Sequence, residues 1–184
     1  AYLERIFETM DTPVDIDDKP DAIELPPIKG EVVFKNVTFG YDPTITVLKN
    51  VSFKAEAGQS IALVGPTGAG KSTIVNLISR FYDIDGGEIT VDGYSISDVT
   101  LRSLRGQMGI MLQDPFIFSG TIEDNIRYGK PDATDEEIIA AAKAVRAHDF
   151  IVEMENGYKS TVRERGSGLS QGQKQLISLA RTLV

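Results

Sequence analysis

Apolar positions in the first ten residues fall at helical spacing. Leu3, Ile6, Phe7 and Met10 stand at i, i+3, i+4 and i+7 and form one stripe. The stripe predicts either a short helix docked on the domain that follows or the end of a longer helix from a preceding domain. Between residues 11 and 30 the periodicity stops. Pro13, Pro20, Pro26 and Pro27 alternate with acidic side chains from Asp11 to Glu24, which predicts an extended linker, because proline blocks helix and like charges repel. Alternation resumes with Val33, Val37 and Phe39 in EVVFKNVTF and with Val51 and Phe53 in VLKNVSFKA, two strands with one buried face each. After Gly58 the run SIALVG suits a strand covered on both faces. A helical pattern spans Gly70 to Tyr82, and GGEITVDG reads as a hairpin strand. Thr100 is a natural N-cap for LRSLR, QMGIML is a further strand, and a long helix is expected from Asp135 to Glu155. Strands mixed with helices, followed by a helix-rich second half, predict an α/β core.

Composition narrows the chemistry. Hydrophobic residues make up 41% and charged residues 25% of the 184, a globular balance that argues against wholesale disorder. Lys and Arg number 19 against 27 Asp and Glu, a net charge of −8, so the broad basic footprint of a nucleic-acid binder is missing and no nucleic-acid partner is expected. The chain has no Cys and a single His, His148. Disulfides, thiolate metal sites and multi-histidine metal sites are therefore excluded. No run approaches the ~18 apolar residues of a membrane span, and Ala1 opens no secretory signal. These features predict a soluble domain of a reducing compartment.

Residues 65–72 read GPTGAGKS and fit G-x-x-x-x-G-K-[ST] between an apolar run and a helical pattern. Gly68 and Gly70 allow backbone N–H groups to curl around phosphate oxygens, and the following helix points its positive end at the same anion. Lys71 would reach the β- and γ-phosphates and the Ser72 hydroxyl would ligate Mg²⁺. Thr73 offers a further hydroxyl and N–H. With this composition the pattern arises by chance roughly 0.01 times per chain. The loop predicts nucleoside triphosphate binding, with Gly65, Pro66, Thr67, Gly68, Ala69, Gly70, Lys71, Ser72 and Thr73 around the phosphates. It leaves the reaction open, because kinases, GTPases, motors and transport ATPases share it.

A second anion-binding device lies in LSQGQKQLISLARTL, where Ser170 is an N-cap and Gly172 sits in the first turn of an apolar-sided helix. Ser170, Gln171, Gly172 and Gln173 resemble the signature motif of ATP-binding cassette (ABC) transporters, commonly LSGGQ. Other elements of that family occur in order. Tyr41, in VTFGYDP, matches the aromatic that stacks on adenine. Gln113, in MLQDPFIFSGTIEDNI, matches the glutamine that approaches Mg²⁺ and the attacking water. Glu164, Arg165 and Gly166, in VRERGSG, match a loop that exporters place against their membrane partner, although a charged surface turn explains them as well.

The resemblance covers nearly the whole chain and favours the exporter type. It implies an α/β fold with a P-loop NTPase core, a mixed sheet with flanking helices and an N-terminal antiparallel β part, plus a helical subdomain at about 115–184. Residues 1–10 would end a helix of a preceding transmembrane domain, 11–30 would be the acidic linker, and 31–184 would be an incomplete nucleotide-binding domain. The activity implied is ATP hydrolysis that drives export, with Lys71 and Gln113 catalytic, Ser72 and Gln113 holding Mg²⁺, and Tyr41 with residues 65–73 holding ATP. Ser170, Gln171, Gly172 and Gln173 would touch ATP held by a second nucleotide-binding domain. The other partner would be the transmembrane domain of the same polypeptide, at the cytoplasmic face of the cell membrane.

Two departures from the family pattern stand out. Gln171 replaces the commoner Gly and adds bulk beside phosphate. The sequence also stops at Val184, inside the signature helix, before the family's Asp-Glu strand, D-loop and switch His; His148 precedes the signature and is not that switch. The expectation is a fragment of a longer transporter, inactive in hydrolysis by itself. A nucleotide-binding or regulatory module without turnover is the alternative, and a P-loop kinase a more distant one.

Overall fold

A computed structural model describes residues 2–12, 14–111 and 114–184. The chain divides into two units, Ala1–Met108 and Gly109–Val184.

The first unit is built on an antiparallel sheet in the order β2-β1-β3-β4, from β1 (Val32–Phe39), β2 (Leu48–Ala55), β3 (Gly86–Val91) and β4 (Tyr94–Ser95). Phe34, Val37 and Phe39 are the buried face of β1, so Val33 yields its place in the expected stripe to Phe34. The cause is a bulge: register shifts between Phe34 and Val37, where Asn36 has φ 50°. One extra residue moves the alternation to the other face. Phe34 pairs with Phe53 across the strands, with ring centroids 4.5 Å apart. The β3–β4 turn runs through Asp92 and Gly93, at φ 49° and 83°, as a tight two-residue hairpin requires.

Two expected strands do not form among the described residues; Leu112, the last residue of the second, lies outside them. Residues 60–64 and 107–111 carry no strand, and Ile61, Leu63 and Val64 are exposed. A β-strand exists through its ladder partners, and no described segment pairs with either run.

Helix α1 (Tyr2–Met10) forms as the stripe predicts, with Leu3, Ile6, Phe7 and Met10 exposed. Its apolar face is therefore not docked on the first unit. The acidic stretch that follows is extended but anchored. Lys19 binds Asp98 at 2.6 Å, Ile23 bridges Val99 in parallel, and Leu25 is buried with its N–H on Ser103 Oγ. The Ile28 N–H donates to Gln107 Oε1, and the Asp92 carboxylate accepts from the N–H groups of Lys29, Gly30 and Glu31. Burial is the largest single influence on Asp92 and raises its pKa, but the N–H bonds from Glu31, Lys29 and Gly30 together outweigh it and hold the pKa low.

Helix α2 (Lys71–Ile78) is shorter than its pattern. Arg80 takes a left-handed conformation, φ 49°, while its N–H donates to Leu77 O and the Phe81 N–H to Asn76 O. This is a Schellman closure with arginine where glycine is usual. Helix α3 (Leu101–Arg105) follows, with the Thr100 hydroxyl accepting from the Ser103 N–H as predicted.

The second unit is mainly helical: α4 (Ile122–Arg127), α5 (Asp135–Ala144), α6 (His148–Glu153) and α7 (Gln171–Leu183), with a small ladder of β5 (Gly120–Thr121) and β6 (Thr161–Val162). Ile122, Ile126, Ile138, Ile151 and Ile177 meet in its core. Thr121 and Thr134 form reciprocal capping boxes with Asp124 and Glu137. The single helix expected from Asp135 to Glu155 is two. Arg146, at φ 61°, repeats the Schellman closure, with the Ala147 N–H on Ala142 O and the Arg146 N–H on Lys143 O. The break brings Val145, Ala147 and Ile151 into one core.

Candidate functional site

In the first unit, Gly65, Gly68 and Gly70 have φ of 153°, 85° and 81°. Gly68 and Gly70 thus sit in the region glycine favours. At Gly70 a Cβ would also come within 2.7 Å of Leu48 Cδ2, so the loop backbone packs directly on the Leu48 side chain of β2. Helix α2 begins at Lys71, and its N-cap Gly70 makes no side-chain cap. The first-turn N–H groups of such a helix suit an anion. Lys71 Nζ donates to the carbonyls of Gly65 and Pro66, both at 2.8 Å. Its charge is thereby held over the loop. Ser72 is exposed, whereas Thr73 is buried.

Tyr41 stands next to this helix. Its hydroxyl donates to Thr73 Oγ1 at 3.1 Å, and its ring meets Phe39 and Tyr82 edge-on, each at 4.9 Å between centroids. The residue remains 51% exposed, so an aromatic platform is both fixed and accessible. Its neighbours are fixed too. The Gly40 N–H donates to Asp85 Oδ2, and a Cβ at Gly40 would collide with the Ile45 carbonyl. Bonds from the Thr44 hydroxyl and then its N–H hold the Asp42 carboxyl below the usual range.

In the second unit, Ser170 caps α7. Its hydroxyl accepts from the Gln173 N–H at 3.2 Å, and Gln173 Oε1 accepts from the Ser170 N–H at 2.9 Å. Gln173 is thus also a capping residue, a role the signature pattern alone did not suggest. Gly172 lies in the first turn with nothing within 4 Å of a Cβ placed there, so no packing inside the chain calls for glycine. Glycine in a helix costs about 0.5–1 kcal/mol relative to alanine. The turn before α7 holds Arg165, Gly166 and Gly168 at φ 59°, 67° and 98°. Arg165, Gln171 and Lys174 line a surface hollow of about 390 Å³ with Asp114, Pro115 and Phe116. Gln113 lies outside the described residues. His148 Nδ1 is 2.9 Å from the Tyr158 hydroxyl, and burial raises the Tyr158 pKa.

Thr73 as the anchor of Tyr41 and Tyr82 as its edge-on neighbour were not foreseen. The signal was present in FYD directly after the phosphate-loop helix. The described residues contain no cluster of three or more His, Asp or Glu able to hold a metal. The exposed Ser72 hydroxyl is a hard-oxygen donor at the loop, and it suits Mg²⁺ when phosphate oxygens complete the shell.

The family model described as ABC transporter matches residues 48–184. The chain belongs to this family. The uncharacterized ABC transporter ATP-binding protein YknV of Bacillus subtilis (strain 168) is 54% identical over 184 residues, all of this chain and 30% of that protein. The ATP-dependent lipid A-core flippase of Syntrophus aciditrophicus (strain SB) is 45% identical over 184 residues, again all of the chain and 30% of that protein. Among solved structures, a bacterial Atm1-family ABC exporter with ATP bound superposes with a TM-score of 0.94 at 45% identity, covering 98% of this chain and 32% of that one. The chain therefore spans about 30% of the length of the curated relatives it matches. Its α/β fold is that of an ABC exporter's nucleotide-binding domain. No helix among the described residues is long and apolar enough to cross a membrane.

Proposed function

We propose that this chain is the ATP-binding part of an exporter, and that two such domains close head to tail around ATP to drive transport. The observation that carries the reading is the phosphate loop itself, with left-handed glycines, the Lys71 ammonium spanning Gly65 and Pro66 and an uncapped α2 N-terminus. Tyr41 stacks on adenine, residues 65–73 surround the phosphates, and Lys71 neutralises charge that builds on the γ-phosphate. Ser72 and Gln113 hold Mg²⁺, which supplies charge neutralisation to the phosphates when bound, and Gln113 orients the attacking water.

The signature turn serves the partner's nucleotide. Ser170, Gln171, Gly172 and Gln173 present the uncluttered first turn of α7 to the γ-phosphate there. Closure needs ATP, because the Gln171 and Gly172 N–H groups, which the Ser170–Gln173 cap does not use, otherwise face no anion; hydrolysis restores charge repulsion and reopens the pair. The transmembrane domain of the same polypeptide docks at the hollow beside Arg165, and residues 1–10 end the helix that leads from it. The domain then lies on the cytoplasmic face of the membrane.

Calorimetric titration with ATP and Mg²⁺ tests the reading. One-to-one saturable heat, abolished by Lys71→Ala, is expected from the 184 residues, together with ATP turnover by the full-length protein. Binding without turnover in the full-length protein would favour a regulatory module. A folded sample with no heat would overturn the assignment of the loop.

A further inference from the structure

Helix α7 begins at the signature turn, and Arg181 lies near its other end, about 15 Å further along the axis at 1.5 Å per residue. Its guanidinium makes three hydrogen bonds. Nε donates to the Asn125 carbonyl at 2.7 Å, Nη1 to the Phe116 carbonyl at 2.8 Å, and Nη2 to Asn125 Oδ1 at 2.9 Å. The same group lies over the rings of Phe118 and Tyr128, at 5.1 and 5.8 Å. Asn125 is 1% exposed and completes the arrangement. Its Oδ1 accepts from the Phe118 N–H, and its Nδ2 donates to the carbonyls of Phe118 and Thr121. A Cβ at Gly129 would strike the Arg181 carbonyl, so the backbone approaches α7 closely here as well.

The segment held in this way, residues 116–121, closely follows Gln113. Its first residue, Phe116, lines the hollow shared with Arg165, Gln171 and Lys174. The clamp and the signature turn are thus two ends of one helix, with the segment fixed to one end and anion-facing N–H groups at the other.

We infer that Arg181 is a positioning residue, which with Asn125 locks residues 116–121 to α7 so that this segment and the signature turn move as one body. The inference rests on the proposed role of the signature. It follows from geometry. Three donors of one planar fork reach two carbonyls and an amide oxygen, and rings lie against its faces, an arrangement that a lysine ammonium cannot reproduce. A displacement imposed at the hollow then reaches the signature turn without loss in side-chain rotation.

Hydrogen exchange and turnover in the full-length protein test it. In the wild type, adding ATP and Mg²⁺ slows exchange at residues 118–121 and in the first turn of α7 together. In Arg181→Lys the first turn alone slows, turnover falls about tenfold, and ATP affinity at the phosphate loop stays within about twofold, because that loop is in the other unit. A residue serving only stability would lower the melting temperature and leave the joint slowing intact. That outcome in Arg181→Lys, or a wild type whose two regions respond separately, overturns the inference. Should Arg181→Lys not fold, Phe118→Leu removes the ring below the guanidinium and keeps the hydrogen-bonding groups. It must weaken the joint response in the same direction, and an unchanged response overturns the inference. A wild type that neither binds nor hydrolyses ATP would instead remove the proposed function.

Discussion

The Tyr41 hydroxyl donates to Thr73 Oγ1 at 3.1 Å, tying the exposed aromatic ring to the buried second residue after Lys71. A stacking platform is thereby joined to the helix that begins at the phosphate loop. Phe39 and Tyr82 brace the ring from two sides, and the hydroxyl bond fixes how it faces.

Tyr41→Phe keeps the ring and loses that bond, while leaving the Thr73 hydroxyl without its donor. A net hydrogen bond of about 0.5–1.5 kcal/mol corresponds to ATP affinity weaker by about twofold to twelvefold. Tyr41→Ala removes the platform as well and should weaken binding further. Calorimetry on both variants checks the order; equal affinity for Tyr41→Phe and the wild type would mean that ring contact alone orients the base.

Gly172 separates stability from function. It lies in the first turn of α7 with open space where a Cβ would go and without a left-handed φ. Gly172→Ala should therefore stabilise the second unit by about 0.5–1 kcal/mol. It should also lower ATP-driven pairing in the full-length protein, because the methyl group stands where the partner's phosphate approaches. Urea melts and a dimerisation assay measure the two effects, and a stabilised variant with undiminished pairing would contradict the proposed use of this turn.

How far the chain could be read in advance depends on where each signal lies. The glycine loop, the Thr100 and Ser170 caps and α1 are local, and each formed at the residues the sequence indicated. The helix ends at Arg80 and Arg146 were missed because arginine occupies positions where a glycine would have announced the stop. Residues 60–64 read as a strand from their own composition, but a ladder also needs a partner. The bulge at Asn36 moved Phe34 into the core without a glycine to mark it. Arg181 was invisible for another reason: its partners Phe116 and Asn125 are far away in sequence.

The anchored acidic stretch leads to a further expectation. Arg80 is 3% exposed, its Nε binds Asp83 at 2.9 Å, and its Nη2 donates to the Asp17 carbonyl at 3.0 Å. Arg105 in turn caps the Ser79 and Arg80 carbonyls that close α2. Arg80→Ala should cost about 2–4 kcal/mol, since it empties a buried site and removes those bonds. Exchange at residues 17–25 should accelerate with it. Lys19→Ala breaks the exposed pair with Asp98 and a 3.3 Å hydrogen bond to Ser97 Oγ and should cost under about 1 kcal/mol. Comparable losses in the two variants would show that the surface pair holds the stretch in place.

Glu123 gives the second unit an acid-sensitive contact. Its carboxylate accepts from Lys159 and Arg127, each at 2.6 Å, with 12% of its side chain exposed. The Lys159 bond, and then the Arg127 bond, lower its pKa from 4.5 against the opposing effect of burial. A carboxyl whose folded pKa lies below its unfolded value binds protons more readily once unfolded. Its stabilising contribution is therefore complete above the unfolded value and disappears as pH falls through the depressed folded one. Because Lys159 is 69% exposed, solvent screening limits the cost of Glu123→Gln at pH 7 to about 1 kcal/mol. Urea midpoints measured from pH 7 downward should show the variant's deficit narrowing below pH 4.5. A deficit that stays constant with pH would assign the loss to packing of the side chain rather than to its charge.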